Sequence, residues 1–298
     1  MDYKVNVLMM AYNHEEFIGQ AIESVLGQKT NFPFRLIIGE DLSPDGTGQI
    51  CKEYAAKYPS QILLVQRDKN VGPYVNFVEI YQTCTAPYIA MCEGDDYWTD
   101  SGKLQKQIDF LDNNPAYGIC FHKSIERNEQ DEEFITNEGL KDTLDIEDLV
   151  KQGWFMRTAS YVYRNGLFDE FPNWFFKVKA TDYVLHILLA KGGAKIKFLD
   201  EVMSVYRIHQ GGISANMHSN KYKSLTERIE LKQFIDKHLD YKYHEHIKSQ
   251  IYKYRENLFY FLRSKENNTL AEKWQIVQLT FQLDKLNLRN AFKHFLGK

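Results

Sequence analysis

The segment AMCEGDDYW, residues 90–98, places three carboxylates, Glu93, Asp95 and Asp96, around Gly94 at the end of an apolar run. Packed this closely, they repel one another unless protonated or shared with a cation. Hard oxygen ligands of this kind suit Mg2+ or Mn2+, which normally complete their coordination with substrate phosphates. The metal would neutralise charge that develops on a diphosphate leaving group. A solvated acidic turn capping the next helix would carry the same residues, and the cluster alone leaves these two readings even.

Two further polar pairs, Tyr12-Asn13 and Glu40-Asp41, also follow apolar runs. The elements that must position them alternate in type over the first 120 residues. Strands are expected at Val5–Met10, Phe34–Gly39, Ile62–Gln66, Pro87–Cys92 and Tyr117–His122. Helices are expected at Glu15–Gln28, Asp45–Tyr58 (capped by Asp45 or Thr47), Tyr74–Thr83 and Leu104–Leu111. Such alternation implies an α/β fold with a mostly parallel, doubly wound sheet covered on both faces. Ligands on such sheets sit beyond the carboxyl ends of the strands. Tyr12-Asn13, Glu40-Asp41 and Glu93–Asp96 all lie there, so they are expected to converge on one crevice. Residues 123–148 are charged and weakly periodic and read as an excursion or mobile loop. Tyr161–Tyr163 and Ala194–Tyr206 should return to the sheet, with a helix at Thr181–Lys191 between them.

The order and spacing of motifs over roughly the first 115 residues resemble those of family 2 glycosyltransferases. VNVLMMAYNHEEFIGQAIESVLGQ (5–28) resembles the family's opening, LIIGEDLSPDGT (36–47) its second acidic motif, and NVGPYVNF (70–77) its Asn-x-Gly segment. EGDDYW (93–98) resembles its variant of the Asp-x-Asp motif, and KLQKQIDFL (103–111) the helix that follows. The resemblance implies a GT-A fold and a nucleotide-sugar site made by Ala11, Tyr12, Asn13, Glu40, Asp41, Asn70, Gly72, Glu93, Gly94, Asp95 and Asp96. In it, Ala11 and Tyr12 meet the nucleotide, and Asp41 accepts from a base N–H. Asp95 is the direct metal ligand, Glu93 reaches the ribose or the metal, and Asp96 reaches the donor sugar or supports the metal's ligands from behind. Arg67 and Lys69 could lie near the base or phosphates, or be surface charges, the reading preferred for both.

KATDYVLHILLAKGG (179–193) resembles the family segment that carries the catalytic base. Thr181 stands where the family's first acidic residue falls, and Asp182 is retained as the base that deprotonates an acceptor hydroxyl. YRIHQGGIS (206–214) resembles a late Arg-x-x-His segment, which implies His209 as a metal ligand and Arg207 as a phosphate partner. Gly211-Gly212 would let this loop close over the donor. Trp154, Arg157, Thr158 and Ser160 would face the acceptor. Trp98, Trp154 and Trp174 are candidate stacking surfaces, with core packing expected of at least one.

The expected reaction is therefore inverting transfer of a sugar, UDP-linked by preference, with Mn2+ or Mg2+. The acceptor would be a glycan or lipid-linked glycan, as in cell-surface polysaccharide synthesis. A nucleotidyltransferase is the alternative enzyme, but AYNHEE is not its Gly- and Lys/Arg-rich phosphate loop. A nucleotide- or glycan-binding protein without catalysis is kept open by Thr181.

The 298-residue chain is 44% hydrophobic and carries a net charge of −3. No apolar run is long enough for a transmembrane helix, and the first residues do not read as a signal peptide, so a cytoplasmic enzyme is expected. Cys51, Cys84, Cys92 and Cys120 form no CxxC pair and are expected to be reduced. Residues 221–298 hold sixteen Lys and Arg against nine Asp and Glu, leaving an acidic remainder. That argues against nucleic-acid binding. The domains read as 1–215 catalytic, divided into a nucleotide-sugar half (1–122) and an acceptor half (123–215), with a helical extension over 216–298. The basic, aromatic stretch 246–265 is expected to pack on the catalytic domain or form a dimer surface, the alternative being a peripheral membrane contact.

Overall fold

A computed structural model of the protein describes residues 2–212, 220–265 and 268–283. The chain divides into two compact units, Met1–Gly211 and Gly212–Lys298.

The first unit opens with β1 (Val5–Ala11), α1 (Ile18–Leu26), β2 (Phe34–Glu40), α2 (Thr47–Lys57), β3 (Ile62–Gln66), α3 (Pro73–Gln82) and β4 (Tyr88–Met91). It continues with β5 (Tyr97–Trp98), α4 (Lys103–Asn113), β6 (Tyr117–Asn128), β7 (Glu133–Ile135), β8 (Thr143–Leu144) and α5 (Ile146–Gln152). Last come β9 (Val162–Arg164), α6 (Thr181–Ala190) and β10 (Lys195–Ile208). The sheet order is β3-β2-β1-β4-β9-β6-β10-β5, with β7 on β6 and β8 on β10.

Pairing is parallel between β1 and β2, β1 and β4, β2 and β3, and β6 and β10. β1 lies between two strands, and Val5, Val7, Leu8 and Met9 are fully buried, which is why it reads as an unbroken apolar run. α1 buries Ile18, Ala21, Ile22 and Val25 on one stripe, and α4 buries Leu104, Ile108 and Leu111. Each such side chain contributes roughly 1.5–3 kcal/mol of burial.

Three features depart from the sequence reading. β9 runs antiparallel between β4 and β6, and the two-residue β5 runs antiparallel to β10. Residues 123–148 are not an excursion: β6 continues to Asn128, and β7, β8 and the start of α5 follow. The far half of β6 is paired on one side by β10 and on the other by β7. Backbone partners are thus satisfied while the side chains of Glu126 and Arg127 stay half-exposed, so no apolar alternation is needed. Finally, α2 is not capped by Asp45 or Thr47: its N-cap is Gly46, without a side-chain cap.

The second unit contains α7 (Lys221–His238), α8 (His244–Arg263) and α9 (Leu270–Leu283). Leu225, Leu258, Leu262, Ile276 and Leu279 form its core. The Asn220 side chain caps α7 by accepting from the Lys223 N–H. Helix expected beyond Leu283 lies outside the described residues. Among the described residues no helix is long and apolar enough to cross a membrane.

Candidate active site

The ends of β1 and β2 are laced together by side chains from the loops that follow them. Asn13, in the left-handed region at φ 59°, donates its N–H to Ser43 Oγ at 3.1 Å. The His14 N–H reaches Thr47 Oγ1 at 2.8 Å, and the Glu15 N–H reaches Asp45 Oδ2 at 3.0 Å. In return, the Gly46 N–H donates to Glu15 Oε2 and the Ser43 N–H to Glu40 Oε1. The Asp41 carboxylate, nearly buried, accepts from the Val71 and Gly72 N–H groups, each at 2.8 Å. Asn70 Nδ2 donates to the Asp41 carbonyl at 2.9 Å. Gly72, at φ 82°, is the N-cap of α3, with Pro73 at the first helical position. Asp41 therefore fixes the loop that opens α3, and one lone pair on each of its oxygens is left for a base N–H. Tyr12 stands 47% exposed over these loops, while Ala11 is buried and its carbonyl accepts from the Asp41 N–H.

The acidic turn follows β4. The Gly94 N–H donates to the Met10 carbonyl at 2.9 Å. A Cβ at position 94 would fall 2.7 Å from His14 Nδ1 and 2.9 Å from both Ile18 Cδ1 and the Met10 carbonyl oxygen. Only glycine permits this approach. Asp95 Oδ2 lies 3.1 Å from His209 Nε2 and 3.7 Å from His14 Nε2. Burial opposes ionisation of Asp95, but the His209 hydrogen bond and the two imidazole charges outweigh it and hold the carboxyl below its usual range. Reciprocally, the Asp95 hydrogen bond raises the pKa of His209, whereas burial lowers that of His14. Asp96 is fully buried; Oδ1 accepts the Arg207 N–H at 2.9 Å and Oδ2 has no partner. Burial, then Asp95, pushes the Asp96 carboxyl well up. Burial does the same to Glu93, reinforced by Asp95, Asp96 and Asp182.

Arg207, expected as a phosphate partner, is engaged within the protein. Its Nη1 donates to the Asp95 carbonyl at 2.6 Å, and its Nη2 bonds Gln20 Oε1. Its guanidinium lies over the rings of Tyr97 (4.4 Å) and Phe17 (5.0 Å). In this structure it braces the acidic turn from β10. Arg67 is likewise engaged within the protein, by Asn76 and Glu79. Of the late loop, Gly211 and Gly212 are described, while Ile213 and Ser214 lie outside the described residues.

Asp182 occupies the first turn of α6, half-buried, with Oδ1 accepting the Tyr183 N–H at 2.8 Å. α6 is tied to α5 by the Tyr183 hydroxyl, which donates to the Leu149 carbonyl. Burial pushes the Asp182 carboxyl up to about 7, against smaller opposing effects of the Tyr183 N–H, Arg157 and Trp154. Asp182 is the group outside the turn whose charge adds to the shift of Glu93, so base candidate and acidic turn share one electrostatic site. Arg157 is held by Glu126, with Nε to Oε1 at 2.6 Å, and lies over the Tyr206 ring. Trp154 is 37% exposed, whereas Trp98 is buried with its indole N–H on the Ala159 carbonyl, making Trp98 a core residue.

Sequence reasoning missed His14, whose Nε2 lies near the same Asp95 oxygen as that of His209. Its signal was a histidine beside the Tyr12-Asn13 pair. It also missed Gln20, for which no local signal existed. Among the described residues, no three His, Cys, Asp or Glu side chains are grouped to hold a metal by themselves, and Glu93 stands in no such group. Asp95 and His209 present a carboxylate oxygen and an imidazole nitrogen to one place. That donor pair fits a divalent ion that takes its remaining ligands from a diphosphate.

An uncharacterized protein of Mycobacterium tuberculosis is 37% identical over 223 residues, 74% of this chain and 63% of its own length. The chain thus spans just under two thirds of that relative. The Escherichia coli UDP-Glc:alpha-D-GlcNAc-diphosphoundecaprenol beta-1,3-glucosyltransferase WfaP is 25% identical over 224 residues, 74% of this chain and 82% of that protein. Staphylococcus aureus TarS 1-349, solved with UDP-GlcNAc, superposes with a TM-score of 0.57 at 14% identity, covering 99% of this chain and 79% of that one. The mannosyltransferase PcManGT of Pyrobaculum calidifontis, solved with GDP-Man and Mn2+, gives 0.58 at 13% identity, covering 100% and 79%. These likenesses establish the GT-A fold, a mixed α/β unit with a mostly parallel sheet. Residues 6–184 match the family model for glycosyl transferase family 2, well over half of the chain. With its acidic turn, laced β1–β2 loops and Asp182 in that matched span, the chain belongs to glycosyl transferase family 2.

Proposed function

We propose that the protein transfers a sugar from a nucleotide-diphosphate donor, UDP-linked by preference, to a hydroxyl of a glycan or lipid-linked glycan, with inversion, in cell-surface polysaccharide synthesis. The carrying observation is Asp182, whose carboxyl is pushed up to about 7 beside the acidic turn. A carboxylate of that pKa is matched to accept a proton near neutral pH. In the reaction the acceptor oxygen attacks the anomeric carbon, its proton passes to Asp182, and the bond from that carbon to the diphosphate oxygen breaks. The nucleoside diphosphate departs with the bonding pair, and no protein nucleophile is required.

Asp41 and the loop at Asn70–Gly72 receive the base, with Glu40 beside them. Ala11, Tyr12 and Asn13 line the nucleotide, Glu93 reaches the ribose, and Asp96 and Gly94 shape the donor-sugar end. Asp95 and His209 would hold Mn2+ or Mg2+, which when bound offsets the charge of the departing diphosphate. Arg207 braces the turn from β10 and lies where it can meet a donor phosphate. TarS with UDP-GlcNAc and PcManGT with GDP-Man and Mn2+ support the donor class and a divalent ion, and the name of WfaP supports a lipid-linked acceptor.

The test is Asp182→Asn in the full chain. Transfer or donor hydrolysis should fall about 10²–10⁴-fold, with UDP affinity in Mn2+ unchanged within about twofold. Unchanged turnover would remove Asp182 as base.

A further inference from the structure

Behind the acidic turn lies a buried polar cluster that the reaction does not use. Lys103, the first residue of α4, is fully buried, and its ammonium has no hydrogen-bond partner among the described residues. It lies 4.0 Å over the Trp98 ring. Gln107, one turn further along α4, donates to the Cys120 and Ser160 carbonyls, while its Oε1 is unpartnered. His122 on β6 gives Nδ1 to the Lys123 carbonyl and has an unpartnered Nε2. A buried ammonium without an ion pair is costly and calls for a reason.

Trp98 is the joint between that cluster and the site. Its N–H donates to Ser24 Oγ of α1, and its indole N–H donates to Ala159 ahead of β9. Across the sheet it pairs with Ser204 of β10, the strand that bonds Asp96 through the Arg207 N–H. The two residues that precede β5 are Asp95 and Asp96.

We propose that Lys103 is a positioning residue for the acidic turn: its ammonium, held against the Trp98 face, sets how tightly Asp95 and Asp96 are presented to a nucleoside diphosphate and its divalent cation. The proposal rests on the donor reading above. The cation–π contact holds the ring only while the amine is charged. Burial lowers the Lys103 pKa to about 7, so its charge changes across the neutral range. The titratable groups that face it keep theirs. Burial raises the thiol of Cys92 beside the turn well above its usual value and that of Cys120 on β6 to about 12. Burial also keeps His122 neutral, its pKa well below the ordinary one.

The experiment is calorimetric titration of UDP with saturating Mn2+ into wild type and Lys103→Met, full chain, from pH 6.0 to 8.5. Methionine is of similar length and uncharged, so it mimics the deprotonated lysine at every pH. K103M should bind about tenfold more weakly at pH 6, the worth of a buried cation–π contact, and converge to within about twofold at pH 8.5. A constant ratio across the range, equal affinities at pH 6, or tighter binding by the variant overturns the proposal. A second measurement separates its failure from that of the donor reading. In a Trp154→Phe background, which removes the indole beside Asp182, the pH titration of tryptophan emission should show a transition near neutrality that both K103M and Trp98→Phe abolish. If wild type binds no UDP at any pH while that transition is present, the donor reading fails and the positioning role falls with it. If UDP binds but the transition survives in K103M, the role of Lys103 alone is refuted.

Discussion

Asp182 carries the sharpest residue-scale consequence. Its folded-state pKa lies near 7, above the ordinary carboxyl value of 3.8. A base works when deprotonated, so kcat should rise as pH passes upward through about 7 and then level off. A profile flat from pH 5.5 to 8 would contradict the assignment. Stability runs the other way: between the two values the folded state holds the proton and the unfolded chain does not, so stability falls as pH rises. Asp182→Asn should therefore melt higher than wild type at pH 8, by a margin that shrinks toward pH 5. The acidic turn and Asp182 stood out in the sequence through their resemblance to family motifs, since carboxylates at a strand end or a helix start serve equally as caps. His14 carried only the weak signal of standing beside Tyr12-Asn13, which does not tell a histidine 3.7 Å from Asp95 from one on a surface. Arg207 was legible as a site residue, but its bond to the Asp95 carbonyl and its place over the Tyr97 ring were not, because both partners lie far away in the chain.

Among the elements, the acidic turn depends on how closely it can approach β1. Gly94→Ala would drive a methyl group into His14, Ile18 and the Met10 carbonyl. Overpacking of this kind costs about 1–3 kcal/mol, so the melting temperature should drop by several degrees. Displacing the His14 ring from Asp95 should weaken UDP binding in Mn2+ as well. Wild-type binding in the alanine variant would show that the approach is not needed. The parallel strands and their helices were readable from period alone, since burial on both faces leaves unbroken apolar runs and helices leave one stripe. β5 and β9 were not fully readable. They span two and three residues, and their partners lie far off in sequence: Trp98 meets Ser204, and Val162 lies between Ala90 and Cys120. Charged residues on β6 hid a strand in the same way, because pairing on both sides replaced the apolar pattern.

The whole chain separates into a unit that holds every proposed site residue and a second, helical one with its own core. In the sequence the switch from alternating elements to long amphipathic helices was read after Ser214, and the two units divide after Gly211. Within the first unit, the central position of β9 has a consequence for synthesis rather than for catalysis. The strand that joins β4 to β6 is made after both of them. Until Arg164 has left the ribosome, β4 and β6 each present a bare row of amide and carbonyl groups, and β6 also awaits β10. Such edges invite pairing with other chains. A fragment ended at Gly153 should therefore form large, β-rich assemblies in sedimentation, whereas a monomeric fragment with a cooperative melt would show that β4 and β6 close on each other without it. The same order makes residues 154–164 the segment on which a nascent chain's solubility turns, and a pause in translation before them the point of greatest exposure to chaperones.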